Sequence, residues 1–264
     1  MEKRINELIS ICEDNRYTDL EIKKIKKAIE FASSQHEGMK RKNGDEYITH
    51  PIEVAIIVAN LNTDAETVVS ALVHETVDHG ASSFEELGEL FGDDVKSIVV
   101  SLTKVNRLHL LDASESSSLY LRKVLVALSE DVRVIILKLA GRVHNLRTNE
   151  GLSKEKQKQK ARETWNVLIP IAHRLGINQL KSELEDLSFR YLKPDVYSDI
   201  ELGLPAPREE LENILEDMMD SIVEILRDNN IKFEIKGRVK SVSSLYNKLS
   251  NGKKWGDIYD ILGI

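Results

Sequence analysis

Only five prolines interrupt 264 residues, and apolar side chains recur between them at three- and four-residue intervals. That pairing commits the chain to a mainly α-helical fold. Leu20, Ile22, Ile25, Ala28, Ile29 and Ala32 form one stripe, with Thr18 or Asp19 placed to cap its helix. A second helix is expected after Pro51, carrying Val54, Ile57, Val58 and Leu61, so that His50 lies just before it. A third, capped by Asp64, carries Val68, Ala71 and Leu72. More helices are expected over 84–91, 95–105, 119–128, 131–148, 155–174 and 178–192, with a polar loop at 113–118. Pro194 closes the last of them.

The pattern changes near residue 204. Leu204-Pro205-Ala206-Pro207 reads as a connector, and a long helix over 208–229 places Ile214, Met218, Ile222 and Leu226 on one stripe. Ile231 to Lys236 alternates apolar and charged residues, the pattern of a strand. Residues 242–249 look helical, and Asp260 to Ile264 look like the start of a buried strand. One strand cannot satisfy its own backbone, so residues 231–264 are expected to be the opening of an α/β domain that the chain leaves incomplete. The expected organisation is a helical domain over 1–195, a helical linker over 196–230 and this opening.

A net charge of −7 argues against broad binding to nucleic acid or anionic membranes. No apolar run reaches the ~18 residues that span a bilayer, and Met1 to Asn6 lacks a hydrophobic signal region. Cys12 is the only cysteine, so no internal disulfide forms, and a reducing cytoplasm is the expected compartment.

The chemistry is concentrated in three histidine segments: Tyr47-Ile48-Thr49-His50-Pro51, His74-Glu75-Thr76-Val77-Asp78-His79 and Leu139-Ala140-Gly141-Arg142-Val143-His144-Asn145. On a helix, His74 and Asp78 share one face, and Glu75 and His79 form the next pair around. Histidines and carboxylates so placed suit a divalent ion that activates water against a phosphate ester, with a carboxylate nearby for proton transfer. Taken singly, each histidine has an ordinary structural reading. The three segments together point to a phosphohydrolase site.

With these flanks the chain resembles, over about residues 20–264, the long RelA/SpoT-type proteins that make and degrade the alarmone ppGpp. The resemblance is carried by Arg41-Lys42-Asn43-Gly44, the three histidine segments, Leu102-Thr103-Lys104 and Ser129-Glu130-Asp131-Val132-Arg133. Ala172 to Ile177, Glu183 to Leu187, Phe189 to Leu192, Gly237 to Ser241 and Tyr259-Asp260 continue it. It implies an HD-type helical hydrolase domain that binds Mn²⁺ and removes the 3′-pyrophosphate. It makes His50 and His74 metal ligands and puts Glu75 where the family has a ligand Asp. Asp78 and His79 stand where the family has Glu then Asp, the pair linked to the catalytic water. Gly141 replaces the remaining ligand Asp outright. The longer Glu75 side chain displaces its carboxylate by more than about an ångström, an offset to which catalysis is sensitive. The expectation is therefore a degenerate hydrolase that keeps its fold. The alternatives are a remodelled, active Mn²⁺ site that uses Glu75 and His79, and a helical interaction scaffold that binds no ligand.

For the nucleotide, the resemblance sets Arg41 and Lys42 over the guanine base and gives Asn145 and Thr148 hydrogen bonds to it. The implied partners are ppGpp, GDP and GTP, together with an intramolecular synthetase domain. Arg238, Lys240, Ser241 and Lys248 resemble the ATP-contacting start of that synthetase, and Asp260 matches its Mg²⁺ ligand. The sequence leaves ribosome contact open.

Overall fold

The computed structural model describes residues 1–108 and 131–264. The loop expected at 113–118 and the helix at 119–128 lie outside the described residues. The chain divides into two compact units, Met1–Leu180 and Lys181–Ile264.

The first unit contains α1 (Glu2–Asp14), α2 (Asp19–Gln35), α3 (Thr49–Ala59), α4 (Ala65–Asp78), α5 (Phe84–Phe91), α6 (Asp93–Leu108) and α7 (Val132–Arg147). After a 3₁₀ turn at Asn149–Gly151 come α8 (Lys154–Glu163), a π turn (Thr164–Leu168), α9 (Ile169–Arg174) and the start of α10 (Asn178–Leu192). Helix α4 packs against α2, α3, α5, α6 and α7, and α3 packs against α1 and α7. The sequence explains this placement. Nearly every residue from His50 to Ala59 and from Thr67 to His74 is buried, and a helix apolar on all sides belongs inside a bundle. The two innermost helices thus carry His50 and His74 into the core.

Local rules hold at the helix starts. Thr18 caps α2 in a capping box with Glu21. Asp64 caps α4, accepting from the Thr67 N–H at 2.7 Å. His50 does not precede α3, as the sequence suggested. Thr49, His50 and Pro51 form its first turn, where proline's missing N–H is not needed. The helix expected over 155–174 is broken by the π turn just before Pro170, whose ring cannot donate to the preceding turn.

Arg133 joins two of these caps. Asp131, the N-cap of α7, accepts the Arg133 N–H at 2.9 Å. The guanidinium then bonds Asp131 at 2.7 Å and Asp64 at 3.0 Å. Burial pushes both carboxyls up, but hydrogen bonds from Thr67 to Asp64 and from Arg133 to both outweigh it, holding each below its ordinary range. A depressed carboxyl stabilises the fold above its unfolded pKa of about 3.9, and that contribution disappears as pH falls through the folded value. Urea unfolding at pH 7 should show Asp131→Ala about 1 kcal/mol less stable than the parent, the usual worth of a cap. Repeated below pH 4, the same comparison should show that difference shrinking.

The second unit contains the rest of α10, α11 (Pro194–Leu202), α12 (Arg208–Asp228), β1 (Arg238–Val239), α13 (Val242–Ser250) and β2 (Leu262–Gly263). Phe189, Ile200, Val242, Leu245 and Ile258 form its core. Phe189 draws α10 into this core, so the division falls at residue 180, ahead of the expected 195. Asp186 on α10 accepts the backbone N–H groups of Val242 and Ser243 at 3.1 and 2.8 Å, helping Ser241 to cap α13. At Gly203 an added Cβ would lie 2.5 Å from the Trp255 ring, so only glycine permits that approach.

Two expectations fail here. Residues 231–236 are not a strand, because no ladder partner pairs with them among the described residues. Pairing begins at β1, antiparallel to β2, with Arg238 opposite Gly263 and Val239 opposite Leu262. The closing strand is two residues long and is not buried. On α12 the buried side chains are Leu211 and Leu215, while Ile214 and Met218 stay exposed.

Candidate functional site

One cleft in the first unit, of ≈ 280 Å³, is lined by His50, His74, Glu75, Leu102, Asn106, Leu137, Lys138, Gly141, Arg142, Asn145 and Lys160. Its size is near the lower end of ligand pockets, about 300–1,000 Å³. Helix α3 supplies His50, α4 supplies His74 and Glu75, and α7 supplies Lys138 to Asn145.

The hydrogen-bond network assigns the histidine tautomers. Arg41 Nη1 can only donate, so at 3.1 Å it makes His144 Nδ1 an acceptor. His50 Nδ1, 2.7 Å from the same atom, must then carry the proton. The Nε2 lone pair of His50 is left facing Glu75 Oε1 at 3.6 Å. Burial holds His50 well below its ordinary pKa, and burial with the nearby Arg41 charge pushes His144 down to about 3, so both rings are neutral. His74 Nδ1 donates to the Ala71 carbonyl at 2.8 Å, which leaves its Nε2 as an acceptor as well.

Three acceptors therefore converge. One donor atom each from His50, His74 and Glu75 lies within 4.8 Å of the others. The second carboxylate oxygen, Glu75 Oε2, is buried without a hydrogen-bond partner. Lone pairs crowded together in this way repel unless a cation lies among them, so these residues fit a divalent ion with positions left open. Gly141 adds no ligand. An added Cβ there would meet nothing within 4 Å, and its φ is not in the left-handed range.

The other expected residues fall into two groups. Arg41 Nη2 bonds Asn145 Oδ1 at 2.9 Å, joining the Arg41-Lys42-Asn43-Gly44 segment to the third histidine segment. Lys42 is exposed on the same loop, which an isolated bridge between Lys40 and Glu46 closes. Gly151 lets that loop approach, since a Cβ there would stand 2.9 Å from the Lys42 carbonyl oxygen. Thr148 bonds back to the His144 carbonyl at 2.9 Å. Asp78 and His79, by contrast, do not line the cleft. Asp78 is exposed in the last turn of α4, and His79, one residue past the helix, lies edge-on to the Tyr47 ring.

Sequence reasoning missed Lys138, Asn106 and Lys160 in the lining, and Tyr47 as a neighbour of Glu75. Burial and the Glu75 charge push the Tyr47 phenol well above its usual range. A signal for Lys138 existed, since three residues before Gly141 on a helix is the same face. In the second unit, Lys240 and Lys248 each bond Asp260 at 2.7 Å, Ser241 caps α13 and Arg238 lies in β1.

The model of the HD domain matches residues 28–178, the span that builds this cleft. A GTP pyrophosphokinase from Myxococcus xanthus is 40% identical over 92% of this chain and 32% of its own length. The bifunctional (p)ppGpp synthase/hydrolase SpoT of Escherichia coli is 36% identical over 87% of this chain and 33% of its own. The chain thus spans about a third of the length of these relatives. A solved structure of a metazoan ortholog of SpoT, described as hydrolysing ppGpp, gives a TM-score of 0.52 at 24% identity. That match covers 63% of this chain and 94% of the other, and shows a shared fold.

The chain belongs to the HD-domain family. Within it, the chain is a member of the RelA/SpoT family. Among the described residues no helix is long and apolar enough to cross a membrane.

Proposed function

We propose that this chain is the HD module of a RelA/SpoT-type enzyme of (p)ppGpp metabolism, with a cleft that binds a guanine nucleotide but hydrolyses it poorly. Gly141 carries the reading. It lines the cleft, with open space at its would-be Cβ, at the position where the resemblance implies a ligand Asp. His50, His74 and Glu75 would hold the ion, Mn²⁺ by resemblance. When bound, that ion supplies charge neutralisation at a phosphoryl group and activation of water. Arg41, held by His144 and Asn145, would present its guanidinium plane to guanine, with Lys42 beside it. In this proposal the module serves a longer cytoplasmic parent that transfers pyrophosphate from ATP to GTP or GDP with Mg²⁺. Arg238, Lys240, Ser241, Lys248 and Asp260 belong to that second activity, and the module's role toward it is regulatory.

Titration calorimetry with GDP tests the nucleotide half. Binding is expected, and Arg41→Ala should weaken it roughly ten-fold, the order of a lost charge-assisted contact. An undiminished Arg41→Ala affinity would remove the assigned pocket. The unpartnered Glu75 Oε2 favours a second reading, a working hydrolase on a three-ligand site. Mn²⁺-dependent pyrophosphate release from ppGpp, with metal content measured on the same sample, separates the two.

A further inference from the structure

His144 lies in the last turn of α7, only 5% exposed, and it touches two groups that the sequence keeps apart. Its Nδ1 stands 2.7 Å from Nδ1 of His50, a candidate metal ligand, and 3.1 Å from Nη1 of Arg41, the guanidinium assigned to guanine. Arg41 Nη2 bonds Asn145 Oδ1 at 2.9 Å, so the guanidinium is anchored to successive residues of α7. The His50 and His144 rings are centred 4.9 Å apart.

The acceptor nitrogen of a neutral imidazole offers one lone pair. Here two donors address it. The N–H of His50 and the N–H of Arg41 compete for His144 Nδ1, so neither bond reaches full strength. The competition matters for the ligand behind it. A ring N–H that donates well fixes the tautomer and orientation of its imidazole and makes the opposite nitrogen a better ligand. For His50 that nitrogen is Nε2, which stands 3.6 Å from Glu75 Oε1. The Arg41 charge acts in the same direction, since it disfavours a further positive charge at His50. Drawing Arg41 away releases both restraints.

We infer that His144 is a positioning residue for His50, and that Arg41, by sharing the His144 lone pair, couples the base pocket to the metal site. The sign is positive: a guanine base that takes the guanidinium tightens the hold on the ion. This coupling rests on the reading that Arg41 meets guanine and His50 binds metal, and it adds the route between them. Linkage makes it reciprocal, so a bound ion strengthens base binding by the same factor.

The test is titration of the chain with Mn²⁺ alone, followed by the paramagnetic resonance signal of the free ion. His144→Phe removes the acceptor and should weaken Mn²⁺ binding roughly 10–100-fold, the scale of a lost partner behind a ligating histidine. His144→Asn supplies an amide oxygen and should recover most of that loss, whereas a role in packing alone would favour the phenylalanine ring. Arg41→Met leaves the lone pair to His50 and should tighten binding about three- to ten-fold, the equivalent of one ordinary hydrogen bond. In the double variant with His144→Phe most of that gain should vanish. Circular dichroism shows whether each variant keeps its helices. Arg41→Met lies on a loop, and Mn²⁺ binding that it fails to tighten overturns the inference whether or not His144→Phe folds. A gain that survives in full in the double variant also overturns it, since charge repulsion alone would then account for the effect. Guanosine, which has no phosphate to ligate the ion, tests the base half: it should tighten Mn²⁺ binding by the parent and not by Arg41→Met. If guanosine binds and the Mn²⁺ affinity does not move, the coupling falls and the guanine pocket stands. If guanosine does not bind while the variants behave as expected, the guanine pocket falls and the link from Arg41 through His144 to His50 stands. If the parent takes up no Mn²⁺, the ligand set falls together with the coupling.

Discussion

The Gly141→Asp variant is expected to release pyrophosphate from ppGpp in Mn²⁺ roughly 10–100-fold faster than the parent chain, the scale on which metal-site residues act. The backbone is ready for the change. Position 141 lies within α7 outside the left-handed range of φ, it lines the cleft together with His50, His74 and Glu75, and an added Cβ there meets nothing within 4 Å. Helix propensity favours it too, because glycine costs about 1 kcal/mol in a helix interior and aspartate less. The gain should therefore come without loss of stability. Rate and bound metal must be read together. If the metal content rises and the rate does not, the missing ligand was not the limiting defect, and the departures at Asp78 and His79 would account for the loss. Both of those residues stand off the cleft. If neither rises, the ligand role given to position 141 is wrong.

The site was legible in the sequence wherever the signal was local. Thr18 and Asp64 cap as expected because a cap needs only three or four successive residues. That His50, His74 and Glu75 lie together was not a local signal; it was what the family resemblance implied, and their ligand atoms do lie within 4.8 Å of one another. Lys138 did not stand out, because its part depends on which face of α7 turns toward α4 and α6. The same limit explains α12. Ile214 and Met218 lie beside Leu211 and Leu215 on a 21-residue amphipathic helix, and which of them is covered is set by how the helix packs against β1 and β2, a tertiary contact the stripe does not specify. Alternation at 231–236 was a fair strand signal, but a strand exists only with a partner, and that pairing lies at Arg238 and Val239. Pro170 was visible in the sequence, but the helix over 155–174 was expected to run through it, and the π turn at Thr164–Leu168 was not anticipated.

Glu163→Ala should destabilise the chain by about 3–5 kcal/mol, the cost of leaving a buried charge without its partner. Arg142 is 8% exposed. Its Nη2 bonds Glu163 Oε1 at 2.8 Å, and its Nη1 reaches the Lys160 carbonyl and Thr164 Oγ1, each at 3.3 Å. These contacts tie α7, beside Gly141, to the end of α8 and the start of the π turn. Alanine at 163 leaves the guanidinium desolvated among weaker neutral acceptors. The double variant Arg142→Met/Glu163→Leu removes both charges and keeps much of the volume, so it should recover most of the loss. Urea unfolding of the parent, both single variants and the double variant measures the coupling directly. Additive losses would mean that the pair is incidental. A large coupling would mean that Arg142 is pinned in place on the cleft wall, beside Gly141.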